Sequence, residues 1–202
     1  VISGIKPDVK VEENNTQDNT PHFNDIKDDF WAKAEIEALA KNKIVSGKTN
    51  DIFDPDSYIT REEFVKIAVN AFNLKYDGAQ CSFNDVAASA WYYEPVAKAF
   101  CLGIIKGVGE GFFGAGLSVT REEMAVIIEK CMQLSGIALS TAESEFSDTN
   151  ETSDFARESV SAMRSSNIIS GYEDGTFRPK NNATRAEAAC IIYRAMNKRG
   201  EI

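Results

Sequence analysis

The sequence predicts an all-α protein built from three tandem helix-loop-helix repeats, and three observations predict it. A glycine is followed fourteen residues on by an arginine at three places: Gly47 to Arg61, Gly107 to Arg121 and Gly171 to Arg185. A large aromatic stands sixteen residues before each glycine, as Trp31, Trp91 and Phe155. Apolar residues at helical spacing lie on both sides of each glycine. Two fixed spacings kept three times among otherwise different residues are the signature of a repeat. Openings at Phe23-Asn24-Asp25, Phe83-Asn84-Asp85 and Phe146-Ser147-Asp148 divide the chain into a linker over 1–22 and repeats over 23–82, 83–145 and 146–202.

Taken in order, residues 1–22 are polar, hold Asn14, Asn15, Thr16, Asn19 and Thr20, and show no periodicity, so they read as a linker to something upstream. The start at Val1, with no basic segment or apolar signal core, reads as a fragment or mature portion. The first helix of each repeat carries an i, i+3, i+4 stripe: Ile36, Leu39, Ala40 and Ile44; Val96, Ala99, Phe100 and Ile104; Val160, Met163 and Ile168. Pro95 requires its helix to begin only shortly before it, because proline lacks the N–H needed further in. Gly47, Gly107 and Gly171 then follow the apolar run, where a left-handed residue commonly stops a helix. Six residues past each glycine comes Phe53, Phe113 or Phe177, expected to plug a turn-rich loop into the core.

The second helices open at Thr60-Arg61-Glu62-Glu63, Thr120-Arg121-Glu122-Glu123 and Thr184-Arg185-Ala186-Glu187. Threonine with glutamate three residues on is a capping box, which satisfies two orphan amides reciprocally. Behind it run Phe64, Ile67, Ala68 and Phe72; Met124, Ile127, Ile128 and Met132; and Ala188, Ile191, Ile192 and Met196. A unit of about 55 residues with two helices buries too little surface alone, so neighbouring repeats must cover one another. Periodicity leaves open whether they stack as a solenoid or close into a ring.

Composition narrows the function. A formal charge of −9 in 202 residues argues against non-specific nucleic-acid binding, which needs a basic patch. The longest apolar runs fall far short of the roughly 20 residues of a membrane span. Cys81, Cys101, Cys131 and Cys190 form no CxxC pair, and with His22 as the single histidine they make no zinc pattern; they read as buried free thiols. No metal and no cofactor is implied. Glu62 with Glu63, and Glu122 with Glu123, are not the paired carboxylates of a glycosidase, because adjacent helical residues diverge and Ala186 breaks the pattern. The chain is not expected to be an enzyme.

Arg61, Arg121 and Arg185 stand out, because a cation in the first turn opposes the helix dipole by about 0.3 to 1 kcal/mol. Two readings stay open. A guanidinium beside an exposed helix N-terminus suits a carboxylate or phosphate ligand; alternatively, each arginine pairs with an acid across a repeat interface. Trp31, Trp91 and Phe155 are packing residues or platforms for a sugar ring. Asp25, Asp85 and Asp148 brace a turn or line a site.

The Phe-x-Asp openings, the tryptophans, the IISGYEDGTFRP run over 168–179 and the TRAE at 184–187 together resemble the S-layer homology, or SLH, domain, over about 23–196. The resemblance implies a closed pseudo-threefold spindle with a central helical bundle and ligand grooves between repeats. It further implies an extracellular location at the bacterial cell surface, and non-covalent anchoring to secondary cell-wall polysaccharide, often through N-acetylmannosamine bearing a pyruvate ketal. On that resemblance Arg61, Arg121 and Arg185 bind the carboxylate, and Gly47, Gly107 and Gly171 let backbone approach the sugar. Trp31, Trp91, Phe155, Asp25, Asp85 and Asp148 line the grooves. The implied protein is a monomeric module within a larger chain; the alternative is a structural self-assembly module without its own glycan site. Phe155 in place of tryptophan, one extra residue between Phe146 and Phe155, Asp51 where repeat 3 has Gly175 and the altered repeat-2 loop predict grooves of unequal competence.

Overall fold

A computed structural model describes residues 21–200; the linker expected over 1–22 lies almost wholly outside the described residues. Among the described residues six α-helices form, α1 (Lys33–Lys41), α2 (Arg61–Ala71), α3 (Tyr93–Cys101), α4 (Arg121–Leu134), α5 (Arg157–Ser165) and α6 (Arg185–Arg199), with one 3-10 turn at Thr149–Glu151. Among the described residues there is no strand, only isolated bridges. Each repeat contributes an outer and an inner helix, as the two apolar stripes require.

The three inner helices, α2, α4 and α6, pack on one another as a central bundle. The outer helices are each handed to a neighbour: α3 lies on α2, α5 on α4, and α1 on α6. The last of these contacts joins the first repeat to the third, so the array is a closed ring and not a solenoid. Three backbone bonds around the pseudo-threefold axis complete it: Ile59 N–H to the Ala183 carbonyl, Ala183 N–H to Val119, and Val119 N–H to Ile59, at 3.1, 2.9 and 3.1 Å. Inside, the helical stripes make one continuous apolar core, with Phe53, Phe113 and Phe177 plugging it from the three loops.

The inner helices begin as the sequence demands. Thr60, Thr120 and Thr184 have extended backbone and accept the amide of Glu63, Glu123 and Glu187, whose carboxylates reach back to complete three capping boxes. Pro95 falls in the first turn of α3. The outer helices, however, do not stop at the glycines. They end at Lys41, Cys101 and Ser165, and the left-handed residues are Lys43, Gly103 and Asn167. Ile44, Ile104 and Ile168 then bond back to the carbonyls of Leu39, Ala99 and Met163, a Schellman closure that buries Ile104 and Ile168.

Gly47 and Gly171 are glycine for another reason, which at Gly107 adds to a left-handed φ of 82°. A Cβ would lie 2.3 Å from the Thr49 carbonyl oxygen at Gly47, and 2.4 Å from that of Phe112 at Gly107 and of Thr176 at Gly171. It would also press on the ring of Phe23, Phe83 or Phe146, at 2.8 Å in each case. The loop doubles back over a bare Cα because nothing larger fits.

Candidate functional site

Each buried arginine reaches out of its own repeat. Arg61, Arg121 and Arg185 are only 5–6% exposed. Their Nε groups donate to the carbonyls of Phe113, Phe177 and Phe53, at 3.1, 2.7 and 2.9 Å, and the guanidinium planes lie over those same phenylalanine rings. Arg61 Nη1 donates to Glu123 at 2.6 Å, and Arg121 Nη1 donates to Glu187. Arg185 Nη1 stands 3.9 Å from Glu63, and its Nη2 donates to the Ser46 carbonyl at 3.0 Å. The partner is in every case the cap glutamate of the next repeat around the ring. One carboxylate oxygen caps its own helix and the other receives the neighbour's arginine.

The helix N-termini are not open to a ligand. The amides of Arg61, Arg121 and Arg185 donate to the carbonyls of Leu117, Asn181 and Ser57 in the adjoining repeat, all at 2.9 Å. Glu122 and Ala186 amides donate likewise to Pro179 and Pro55, and the N3 amides are taken by the caps. The expected anion site at an exposed helix start is therefore filled by protein: the loop that closes each joint carries its carbonyls to the dipole's positive end.

The aspartates are turned into their own loops. Asp25 accepts from the Phe53 and Asp54 amides, Asp85 from Phe113, Gly114 and Ala115, and Asp148 from Phe177 and Arg178, all at 2.6–2.9 Å. Burial alone would raise the Asp85 pKa, but the three amides outweigh it and hold the carboxyl below its ordinary value.

The aromatics face water. Trp31, Trp91 and Phe155 are 59%, 57% and 62% exposed, so core packing does not account for them. Trp31 and Phe155 each line a groove between repeats. The repeat-3 groove, about 690 Å³, has the Gly171 loop and α6 as its floor, Arg121 at one end and Trp31 at its rim. The repeat-2 groove, about 760 Å³, sets the Gly107 loop and α4 against Arg61 and Phe155. In the repeat-1 counterpart Arg185 bonds the Gly47 loop at Ser46, and Trp91 packs against α2 through Lys66, whose ammonium sits 4.9 Å from the ring centroid. The repeat-2 and repeat-3 grooves thus both take their floor, their arginine and their aromatic from three different repeats.

Residues that sequence reasoning did not single out complete the walls. Tyr172 donates to Glu187 at 3.0 Å beneath Arg121, and Lys48 bridges Glu63 at 3.1 Å at the matching loop position. Arg194 and Lys130 stand seven residues beyond the cap glutamates, and that spacing from the repeated motif was the available signal. Burial alone would raise Glu63, but the Thr60 amide, Lys48 and Arg185 hold it below its ordinary value. Cys131 and Cys190 are buried thiols whose pKa burial pushes up to about 12; Cys81 and Cys101 are free but only half-buried, contrary to expectation.

The fold is thus a closed ring of three helix-loop-helix repeats with grooves between repeats. The S-layer homology domain model matches residues 22–65, 82–125 and 145–189, and the chain belongs to that family. It is 38% identical over 186 residues to an amylopullulanase of Thermoanaerobacterium thermosulfurigenes, covering 89% of this chain and 10% of that protein. It is 30% identical over 171 residues to an S-layer protein of Bacillus thuringiensis subsp. finitimus, covering 84% and 21%. Against the surface-layer 125 kDa protein of Lysinibacillus sphaericus it is 29% identical over 169 residues, covering 82% and 14%. The chain thus spans about a tenth to a fifth of the relatives it matches. Family membership places it at the bacterial cell surface as a cell-wall anchoring module, and no helix among the described residues is long and apolar enough to cross a membrane.

Proposed function

We propose that the three inter-repeat grooves bind an anionic secondary cell-wall polysaccharide, and that this binding anchors a larger surface protein non-covalently to the wall. The exposure of Trp31, Trp91 and Phe155 carries the reading. Three large rings held in water at equivalent places forgo about 1.5–3 kcal/mol of burial each, and Trp31 and Phe155 line grooves in which charged and apolar side chains alternate. Such rings suit the apolar face of a sugar, as amphipathic aromatics do at binding surfaces generally. In this reading Gly47, Gly107 and Gly171 form the floors. Arg61, Arg121 and Arg185 terminate the grooves while locking the joints, and Asp25, Asp85 and Asp148 hold the loops in shape. The ligand suggested by resemblance is N-acetylmannosamine carrying a pyruvate ketal, whose carboxylate supplies the negative charge.

Calorimetric titration of the full chain with a pyruvylated wall disaccharide tests this. Saturable binding is expected, together with retention on isolated walls that is lost when the pyruvyl group is removed. Undiminished retention on depyruvylated walls sinks the anionic ligand. The self-assembly alternative had its arginines paired across repeats or chains; here the partners all lie within one chain, so the pairs do not call for a second copy. Sedimentation showing concentration-dependent association without polysaccharide would restore that alternative.

A further inference from the structure

Shape is common to the grooves, but charge is not. In the repeat-2 and repeat-3 grooves the buried arginine is closely paired with a glutamate through Nη1, so little of its charge is left for a ligand; Arg185 stands 3.9 Å from Glu63 and spends its Nε and Nη2 on the Phe53 and Ser46 carbonyls. What an anionic sugar meets is decided by the remaining wall residues.

The repeat-2 groove is acidic. Glu123, Glu129, Asp154 and Glu158 line it against Arg61, Lys106 and Lys130. Burial, aided by the nearby Glu158 charge, raises the Glu129 pKa. Lys130 donates to the Gly103 carbonyl, and the aromatic is Phe155, which has no N–H to offer. In the repeat-1 counterpart Lys66 stands where Val126 and Cys190 line the other two grooves, and its ammonium already occupies a face of Trp91. Lys48 is paired with Glu63. A sugar must displace a cation–π contact before it can stack there.

The repeat-3 groove differs from both. Arg121 is matched by Glu187, and Arg178 by Asp174 at 2.8 Å. Among the described residues Arg194 has no carboxylate within ion-pairing distance; its Nη1 donates to the Ser170 hydroxyl at 3.1 Å. It lines the same groove as Gly171, Tyr172 and Trp31; with Glu173 also in the lining, the groove has as many bases as acids, where the repeat-2 groove has one acid in excess.

We propose that the repeat-3 groove is the principal anion-accepting site, with Trp31 carrying the sugar face and Arg194 meeting the carboxylate. This rests on the glycan reading above and says which groove and which cation serve it. The guanidinium fork accommodates both carboxylate oxygens once the Ser170 hydroxyl is released.

The two tryptophans report on different grooves, so fluorescence of the full chain assigns the site. With Trp91→Phe, Trp31 is the only tryptophan; with Trp31→Phe, Trp91 is. Titrated with pyruvylated N-acetylmannosamine, Trp31 should respond at a concentration at least about tenfold below any response of Trp91. Arg194→Gln should raise the Trp31 midpoint by about tenfold, in line with losing one charged hydrogen bond, and Arg194→Lys should recover most of it. Equal midpoints for the two tryptophans, or no effect of Arg194→Gln, overturn the assignment while leaving glycan binding standing. Calorimetric heat with no response from either tryptophan assigns the sugar to repeat 2 and also overturns it. No heat and no response overturn the glycan reading itself.

Discussion

The joint between repeats 2 and 3 and the joint that closes the ring from repeat 3 to repeat 1 use the same helix start, yet they are fastened differently. At the first, Arg121 pairs closely with Glu187, and Glu122 beside it is fully engaged. Its carboxylate accepts from the Ser153 amide and hydroxyl, both at 2.9 Å, and from Lys180 at 2.7 Å. At the closure, Arg185 is 3.9 Å from a Glu63 it shares with Lys48, and the neighbouring position is Ala186. The facing residues explain the alanine: the counterparts of Ser153 and Lys180 in repeat 1 are Asp29 and Asp56, so a glutamate at 186 would meet two acids. What both joints share is backbone, namely the carbonyl triangle and the arginine's bond to a loop phenylalanine carbonyl. The ring is thus closed by main-chain bonds and apolar packing, and the side-chain charges set how firmly each joint is held.

The largest test of that contrast removes the arginines. Arg121→Met leaves Glu187 half-buried without its ion-pair partner and should cost about 4 kcal/mol. Arg185→Met should cost about 2 kcal/mol, since Glu63 keeps Lys48 and mainly two carbonyl bonds are lost. Urea unfolding of the full chain measures both, and equal costs would mean that the carbonyls, not the pairs, govern both joints. Next comes Glu122→Ala, which strands the Ser153 amide and the Lys180 ammonium and should cost about 2 kcal/mol. Glu62→Ala should cost about 1 kcal/mol, because Glu62 accepts only the Gly116 amide, at 3.0 Å.

Much of this architecture was legible in the chain. The helical stripes, the capping boxes and the plugging phenylalanines are local consequences of residue type and spacing, and they appear where the spacing puts them. The glycines misled, because Gly47 and Gly171 are demanded by a carbonyl and a ring brought against them by the fold, not by left-handed backbone. The real helix stops, Lys43 and Asn167, carry no glycine to mark them. Treating Thr60 and Glu63 as helix chemistry and Arg61 as the unexplained remainder was sound within one repeat. Pairing with an acid across a repeat interface is one of the two readings open for it, and the fold adds that the acid is the next repeat's cap glutamate, which no single motif contains. The exposure of Trp31 and Trp91 was likewise invisible, since it depends on which repeat lies beside which.

A smaller effect should follow from rewriting the closure joint. Ala186→Glu places a carboxylate near Asp29 and Asp56 and should destabilise by about 1 kcal/mol, the scale of an unfavourable exposed pair. Adding Asp56→Lys supplies the counterpart of Lys180 and should recover that loss. If Ala186→Glu alone were stabilising, the acids at 29 and 56 would not be the reason for alanine.

The smallest expected effect is the response of the closure joint to acid. Glu63 and Asp85 both have folded pKa values held below the ordinary carboxylate value. A depressed carboxylate contributes stability that is fully present above its unfolded pKa, about 4, and is lost as pH falls through the lower folded value. Glu129 works the other way, since its raised pKa makes protonation a gain and partly offsets the loss. The urea midpoint should therefore hold from pH 7 to about 5 and fall below about 4. Lys48→Gln removes one cause of the Glu63 depression, so it should lower the midpoint at pH 7 and flatten the decline beneath pH 4. A parallel shift of the whole profile would show that Lys48 acts on packing and not on the Glu63 charge.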